Sequence, residues 1–402
     1  MDTLVLAAGE FDQTSALVSF AWIMAAALLA PIISQLTRGY VPSVALFLLF
    51  GMLIGPSVWG LAGFDGGITL LKELGVGALF LLAGFEIDRS SLRSRQAGSS
   101  LVTWVFCLVL STGGAWLLLR DAPLALVVGI ALTSTALGTV MPVLKQQGLE
   151  DSKIGRSVMI HGAVGEVAPI AAMALLLSTR STLATAIILL VFVVIAVLVG
   201  IMPRAIVTLM PWVHKAFLAG YGETNQTVLR LIVLILAVLM AVTAVFELDV
   251  VLGAFAAGFI LNAVAPNEIH DDLEKALNVL FYSMLIPVFF VASGMEINWQ
   301  VIRDNALAVI AVPLIILITR GLPVFLRENS HRDDEKLAVL ERLQVALYAA
   351  TGLPIIVAVT SLAQSAGLLD QETASIFVAG GALTVAAYPL LARVVASQSN
   401  NA

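Results

Sequence analysis

The sequence predicts an all-α integral membrane protein of about thirteen transmembrane helices, built as two inverted-topology repeats that each contain a discontinuous helix. Three observations lead there: apolar runs of 17 to 25 residues recur along nearly the whole chain, basic residues fall mostly on one side of those runs, and two short motifs recur in order some 210 residues later.

The apolar runs come first. Of 402 residues, 60% are hydrophobic and 12% charged, against about 25% charged in soluble domains. Each run is long enough to cross a hydrocarbon core roughly 30 Å thick, and lipid admits no open sheet edge, so the runs are read as helices. Their Gly, Pro and charged boundaries place spans near 14–36, 43–60, 68–86, 98–119, 123–145, 153–178, 183–203, 228–246, 248–264, 275–295, 304–326, 338–366 and 371–395. The weakest boundary is Glu247 to Asp249.

With that assignment, sixteen Lys and Arg residues lie on one side and only Arg120, Arg180 and Arg303 on the other. The positive-inside rule makes the basic side cytoplasmic, with the N-terminus outside and the C-terminus inside a multi-pass cell-membrane protein. The first basic residue is Arg38, so the start lacks the basic region of a cleaved signal, and the first helix is expected to stay. The net charge of -6 comes from acidic loops and termini such as Asp271 to Glu274 and Asp333 to Glu335, and no basic face suggests nucleic acid. The single cysteine, Cys107, lies in an apolar run, which excludes an intramolecular disulfide.

The repeat is written in two echoes. Leu82-Ala83-Gly84-Phe85-Glu86-Ile87-Asp88 ends the third span, and Ala292-Ser293-Gly294-Met295-Glu296-Ile297-Asn298 ends the tenth. Phe50-Gly51-Met52-Leu53-Ile54 in the second span is matched by Ala257-Gly258-Phe259-Ile260-Leu261 in the ninth. Seven spans apart, matched segments run in opposite directions. The expected organisation is one transporter domain over 1–402, with repeats at about 43–178 and 248–395, linking helices at 183–246, and no soluble regulatory domain.

In such a repeat the fourth helix of each half is the one to interrupt. The fifth span packs Thr133, Ser134, Thr135, Gly138 and Pro142 into its middle, and the twelfth carries Thr351-Gly352-Leu353-Pro354 at comparable depth. Proline removes a backbone donor and glycine loosens the helix, so both segments are read as broken helices that cross at the membrane midplane. An ordinary proline kink is the alternative for either one alone.

Two ionisable residues lie deepest in the apolar spans: Glu166, halfway through the sixth, and Arg320, late in the eleventh. A charge at the bilayer centre costs about 2.5–3.5 kcal/mol on insertion scales, so it marks an ion path or a partner. Arg320 is read as charge-compensating, either toward an acid, with Glu166 and Glu73 both open, or toward crossed helix C-termini. His161, five residues before Glu166, lies on another face and is read as structural. No Walker A, HExxH, GxSxG or GxGxxG motif is present, so neither ATP-driven pumping nor enzymatic chemistry is supported, and no cofactor is expected.

The motifs Val41-Pro42-Ser43 with Gly51 to Pro56, Gly84 to Asp88, Thr133 to Leu149, Leu252 to Leu261 and Pro287 to Asn298 together resemble the monovalent cation:proton antiporter-2 family of the sodium/proton antiporter superfamily, which includes the membrane domain of glutathione-gated potassium efflux systems. The likeness implies the sodium/proton antiporter-like fold, an elevator-like movement and a homodimer. It also implies that Glu166 stands where the family has Asp, Gly165 where it has a polar neighbour, and Arg320 where it has a basic residue.

The resulting expectation is exchange of protons for a monovalent cation, sodium or potassium. Glu166 would be the shared carboxylate and the cation ligand, with Thr133, Ser134, Thr135 and Thr351 completing an oxygen shell; Arg320, Pro142, Gly352 and Pro354 would be structural or charge-compensating. A channel or uniporter on the same scaffold, and a non-transporting membrane sensor or subunit, are the alternatives.

Overall fold

The computed structural model describes residues 13–37, 41–64, 66–86, 95–176, 227–245, 250–265, 269–329 and 337–399. The described residues are helical, with no strand among them. The seventh expected span, the boundary at Glu247 to Asp249 and the acidic loop at Asp333 lie outside them; the other twelve expected spans hold helix. Nine segments among the described residues are long and apolar enough to cross a membrane.

The first four spans are α1 (Gln13–Leu36), α2 (Ser43–Ile54), α3 (Gly66–Glu86) and α4 (Arg95–Leu119). Large apolar side chains such as Leu17 and Leu28 on α1 and Val102, Val109 and Leu118 on α4 point outward. That suits a hydrocarbon solvent, where apolar surface carries no penalty.

The fifth span is split into α5 (Ala122–Leu132) and α6 (Leu137–Gln146), and the sixth is the single helix α7 (Lys153–Leu176). Then follow α8 (Thr227–Val245) and α9 (Val250–Val264). The tenth span is broken too, into α10 (His270–Tyr282) and α11 (Leu285–Met295), a division absent from the expected spans. After the short α12 (Trp299–Asp304), the eleventh runs α13 (Ala306–Ile316), a π-helical turn Leu317–Gly321, and α14 (Leu322–Glu328). The twelfth is split into α15 (Val339–Ala349) and α16 (Pro354–Ser365), and α17 (Gln371–Ser399) closes the order.

The echoing glycines meet across the core. A Cβ on Gly51 (α2) would strike Val291 O and Gly294 Cα of α11, and one on Gly294 would strike Leu48 O of α2. The mirror contact joins α3 to α9: a Cβ on Gly84 would strike Phe255 O, and one on Gly258 would strike Leu81 O. Small residues thus let backbones approach to contact, which in lipid replaces the hydrophobic drive as the source of packing energy.

Candidate ion-binding site

The interruptions of the fifth and twelfth spans lie against each other. The Ala136 N–H donates to Thr351 O at 2.7 Å, and the Thr135 N–H to Gly165 O on α7 at 2.9 Å. The Thr135 hydroxyl donates to Ala349 O at 2.6 Å, at the end of α15. Gly352 has no side chain because a Cβ there would sit 2.7 Å from Ser134 O. Thr384 of α17 accepts from the Gly352 N–H at 3.3 Å and donates to its carbonyl at 3.1 Å. Several of the backbone groups freed at the breaks are thereby paired, which hydrocarbon depth favours.

Such a crossing separates charge. The C-terminal ends of α5 and α15 carry partial negative charge and the N-terminal ends of α6 and α16 partial positive charge. Two ionisable residues are buried beside the crossing.

Glu166 occupies the positive pole. It is 7% exposed and lines a cavity of about 460 Å³ together with Leu137 and Gly138 from the first turn of α6. A narrower adjoining cavity, again lined by Glu166 and Gly138, reaches Pro354 at the start of α16. Among the described residues the Glu166 carboxylate has no hydrogen-bond or ion-pair partner, and no group of three or more His, Cys, Asp or Glu is arranged to hold a metal. A carboxylate this deep and without a partner can bind a proton or a cation arriving through the cavity.

Arg320 is fully buried. The π-helical turn, followed by Pro323, sets its direction; one extra residue in a turn is a common device at functional sites. Its Nη2 donates to Thr135 Oγ1 at 3.2 Å and to His161 O at 2.8 Å. Neither Glu166 nor Glu73 forms an ion pair with it among the described residues.

Comparison with known proteins gives this arrangement its family. Residues 24–394 match the family model described as sodium/hydrogen exchanger, transmembrane. The chain belongs to that family. This exchanger-family protein is 25% identical over 333 residues to YjbQ of Bacillus subtilis (strain 168), provisionally named a Na(+)/H(+) antiporter, covering 77% of the present chain and 53% of YjbQ. It is 26% identical over 389 residues to the glutathione-regulated potassium-efflux system protein KefC of Escherichia coli O81 (strain ED1a), covering 94% of the chain and 60% of KefC. The chain thus spans a little over half the length of these two relatives. The sodium proton antiporter MjNhaP1 from Methanocaldococcus jannaschii at pH 8 has the same fold, with a TM-score of 0.66, 15% identity, and 96% of this chain and 98% of that chain covered.

Within this exchanger-family fold, the expected site residues divide in two. Glu166 lines the main cavity and Pro354 the adjoining one, whereas Thr133, Ser134, Thr135 and Thr351 do not line the main cavity. Thr133, Ser134 and Thr351 give their hydroxyl protons to Ile130, Ala131 and Leu347 carbonyls at 2.9, 2.9 and 3.0 Å. Pro142 lies within α6. His161 is buried as expected, between Ser100 Oγ and Glu328 Oε1, each 2.8 Å away. Glu328, which also accepts from Ser157 at 3.1 Å, reads in the sequence as a polar end of an apolar run and is in fact buried.

The cavity also brings in residues that sequence reasoning passed over as site residues, chiefly Glu86 and Tyr282. Glu86 stood in the echo motif, where an acid ending a hydrophobic span was the available signal.

Proposed function

We propose that this protein is a secondary antiporter that exchanges protons for sodium or potassium, with Glu166 alternately protonated and cation-bound. The observation that carries the reading is the unpartnered, nine-tenths-buried Glu166 carboxylate at the cavity beside the crossed helices. The names of the relatives, sodium/proton antiporters and a potassium-efflux system, support transport over enzymatic chemistry. Coupling follows from mutual exclusion: one carboxylate holds a proton or a partly dehydrated cation, never both. The oxygens of Thr133, Ser134, Thr135 and Thr351 retain lone pairs and complete the cation's shell once the crossing moves.

Alternating access is part of this reading. The cavity opens on the side carrying Lys145 and Glu150, which the distribution of Lys and Arg assigns to the cytoplasm. At the other end the protein is laced shut: Lys72 Nζ lies 2.6 Å from Glu296 Oε1, the Asn298 N–H donates to Ser375 Oγ at 3.2 Å, and Gln371 donates to Glu296 O at 3.4 Å. The conformation is therefore read as inward-open, with the N-terminus outside and the C-terminus inside. The inverted repeat is supported by the reciprocal glycine contacts, which exchange with each other when the second span is matched to the ninth and the third to the tenth. Assembly as a homodimer, implied by the resemblance, is checked by native mass of the purified protein.

Proteoliposomes with an imposed pH gradient test the proposal. Sodium or potassium should dissipate the gradient with the wild-type protein and fail to do so with Glu166→Gln. Equal exchange by that variant refutes the assignment of Glu166, and currents without proton coupling would establish the channel reading instead.

A further inference from the structure

Glu166 does not face its cavity alone. Glu86, the last residue of α3, lines both the main cavity and the narrower one beside it, and so does Tyr282 at the end of α10. The two carboxylates are near enough for their charges to act on each other. Glu86 is nevertheless exposed at the cavity wall, where Glu166 is buried.

Its position is held through the residue before it, in part by His270 of the cavity wall. The ring of the preceding Phe85 stacks on His270 with centroids 4.5 Å apart, and the Asn262 side-chain amide donates to Phe85 O. Helix energetics disfavour an acid there. A carboxylate at a helix C-terminus meets the negative end of the dipole, and the last turn of α3 contains no basic residue. The cavity does not neutralise it either. Lys145, its one Lys or Arg, lies 3.6 Å from Glu150, and its charge acts on Glu86 less than the opposing charge of Glu274 does; Glu86, Glu166 and Glu274 form no ion pair among the described residues.

The geometry points to a second cation-binding carboxylate: Glu86 holds a monovalent cation in the cavity, with Tyr282 and cavity water, before the ion passes to Glu166. This inference rests on the antiporter reading above. It assigns to Glu86 capture of the cation and to Glu166 its exchange for a proton. Because Glu86 waits at the mouth and does not change sides, the coupling ratio is left to Glu166.

The test uses the full chain in proteoliposomes, with sodium and potassium chloride as the probes and the cation KM and maximal rate read separately at fixed pH. Glu86→Gln should raise the cation KM by about tenfold, the equivalent of ~1.4 kcal/mol of lost binding, with the maximal rate within about twofold. Glu86→Asp should recover most of the affinity. The rise should persist when choline chloride raises the ionic strength, since screening removes a diffuse field across open water but not a direct ligand. An unchanged KM, or a rise that choline abolishes, overturns the inference while leaving Glu166 in place. Wild-type liposomes that exchange neither ion overturn the antiporter reading itself. If Glu86→Gln does not elute as a single species, Glu86→Ser and Glu86→Asp carry the comparison, Ser being expected to bind weakly and Asp well; equal KM values for the two refute the assignment.

Discussion

The guanidinium of Arg320 fills the space that a side chain at Gly165 would need. A Cβ built on Gly165 falls 2.5 Å from Arg320 Nη2 and collides with the Thr135 hydroxyl. The missing polar neighbour of Glu166 is thus a steric consequence of how this chain seats its buried cation.

Gly165→Asn should therefore destabilise the protein by about 1–3 kcal/mol, the usual cost of overpacking. Combining it with Arg320→Ser should cost less than the sum of the single changes, because the second substitution vacates the contested volume. Thermal unfolding in detergent measures both, and strict additivity would contradict the packing argument.

Arg320→Ala should lower stability by about 1–3 kcal/mol through loss of charge-assisted hydrogen bonds to Thr135 and the His161 carbonyl. Arg320→Lys should recover only part, since an ammonium cannot reproduce the planar fork. A lysine variant that melts with the wild type would show that the charge alone matters.

The glycines divide into two classes that substitution should separate. Gly258→Ala presses a methyl into Leu81 O, whereas Gly113→Ala meets nothing within 4 Å. The first should cost about 1–3 kcal/mol, and the second should stabilise α4 by up to about 1 kcal/mol. Size-exclusion profiles after graded heating rank them, and the reverse order would be inconsistent with backbone contact.

Lys72→Met should loosen the closed end of the molecule. Glu296 is partly exposed, so the stability change should stay below about 1 kcal/mol. Ser361, 3.5 Å from Lys72 Nζ, should become more reactive as Ser361→Cys toward a membrane-impermeant maleimide added outside. Cys107 is buried and should give little background. Labelling unaffected by the Lys72 change would remove the ion pair from the closure.

Exchange through one carboxylate moves one proton against one cation and no net charge. Clamping the membrane potential with a potassium ionophore should leave the initial sodium-driven rate unchanged. A rate that tracks the imposed voltage would require a second titrating group to cross with Glu166.

Much of this architecture could be read from residue types. The breaks after Leu132 and Ala349 were legible because glycine, proline and hydroxyl residues gather there, each weakening a helix for a local reason. The break between Tyr282 and Leu285 was passed over although Ser283 and Pro287 flank it, because they stand alone in an otherwise continuous apolar run and no glycine or second Ser or Thr joins them. The π-helical turn at Arg320 was hidden as well, since Pro323 marks a disturbance without stating how the chain absorbs it. Glu166 was conspicuous by its cost in lipid, but its surroundings come from α3, α6 and α10, distant in sequence. Glu328 shows the opposite failure: an acid beside Arg327 at the end of an apolar run looks like a loop, and only the folded chain turns it toward His161.

The glycine contacts carry a mechanical consequence. Helices α2 with α11 and α3 with α9 touch backbone to backbone, so neither pair can slide without driving a carbonyl into a neighbouring chain. On the proposed antiporter reading, those four helices would be the stator. On that same reading, the travel that delivers Glu166 to the opposite face would be taken up along the cavity seam where α3 and α10 face α6 and α7, and the stiffness of the glycine frame would set the rail along which it runs.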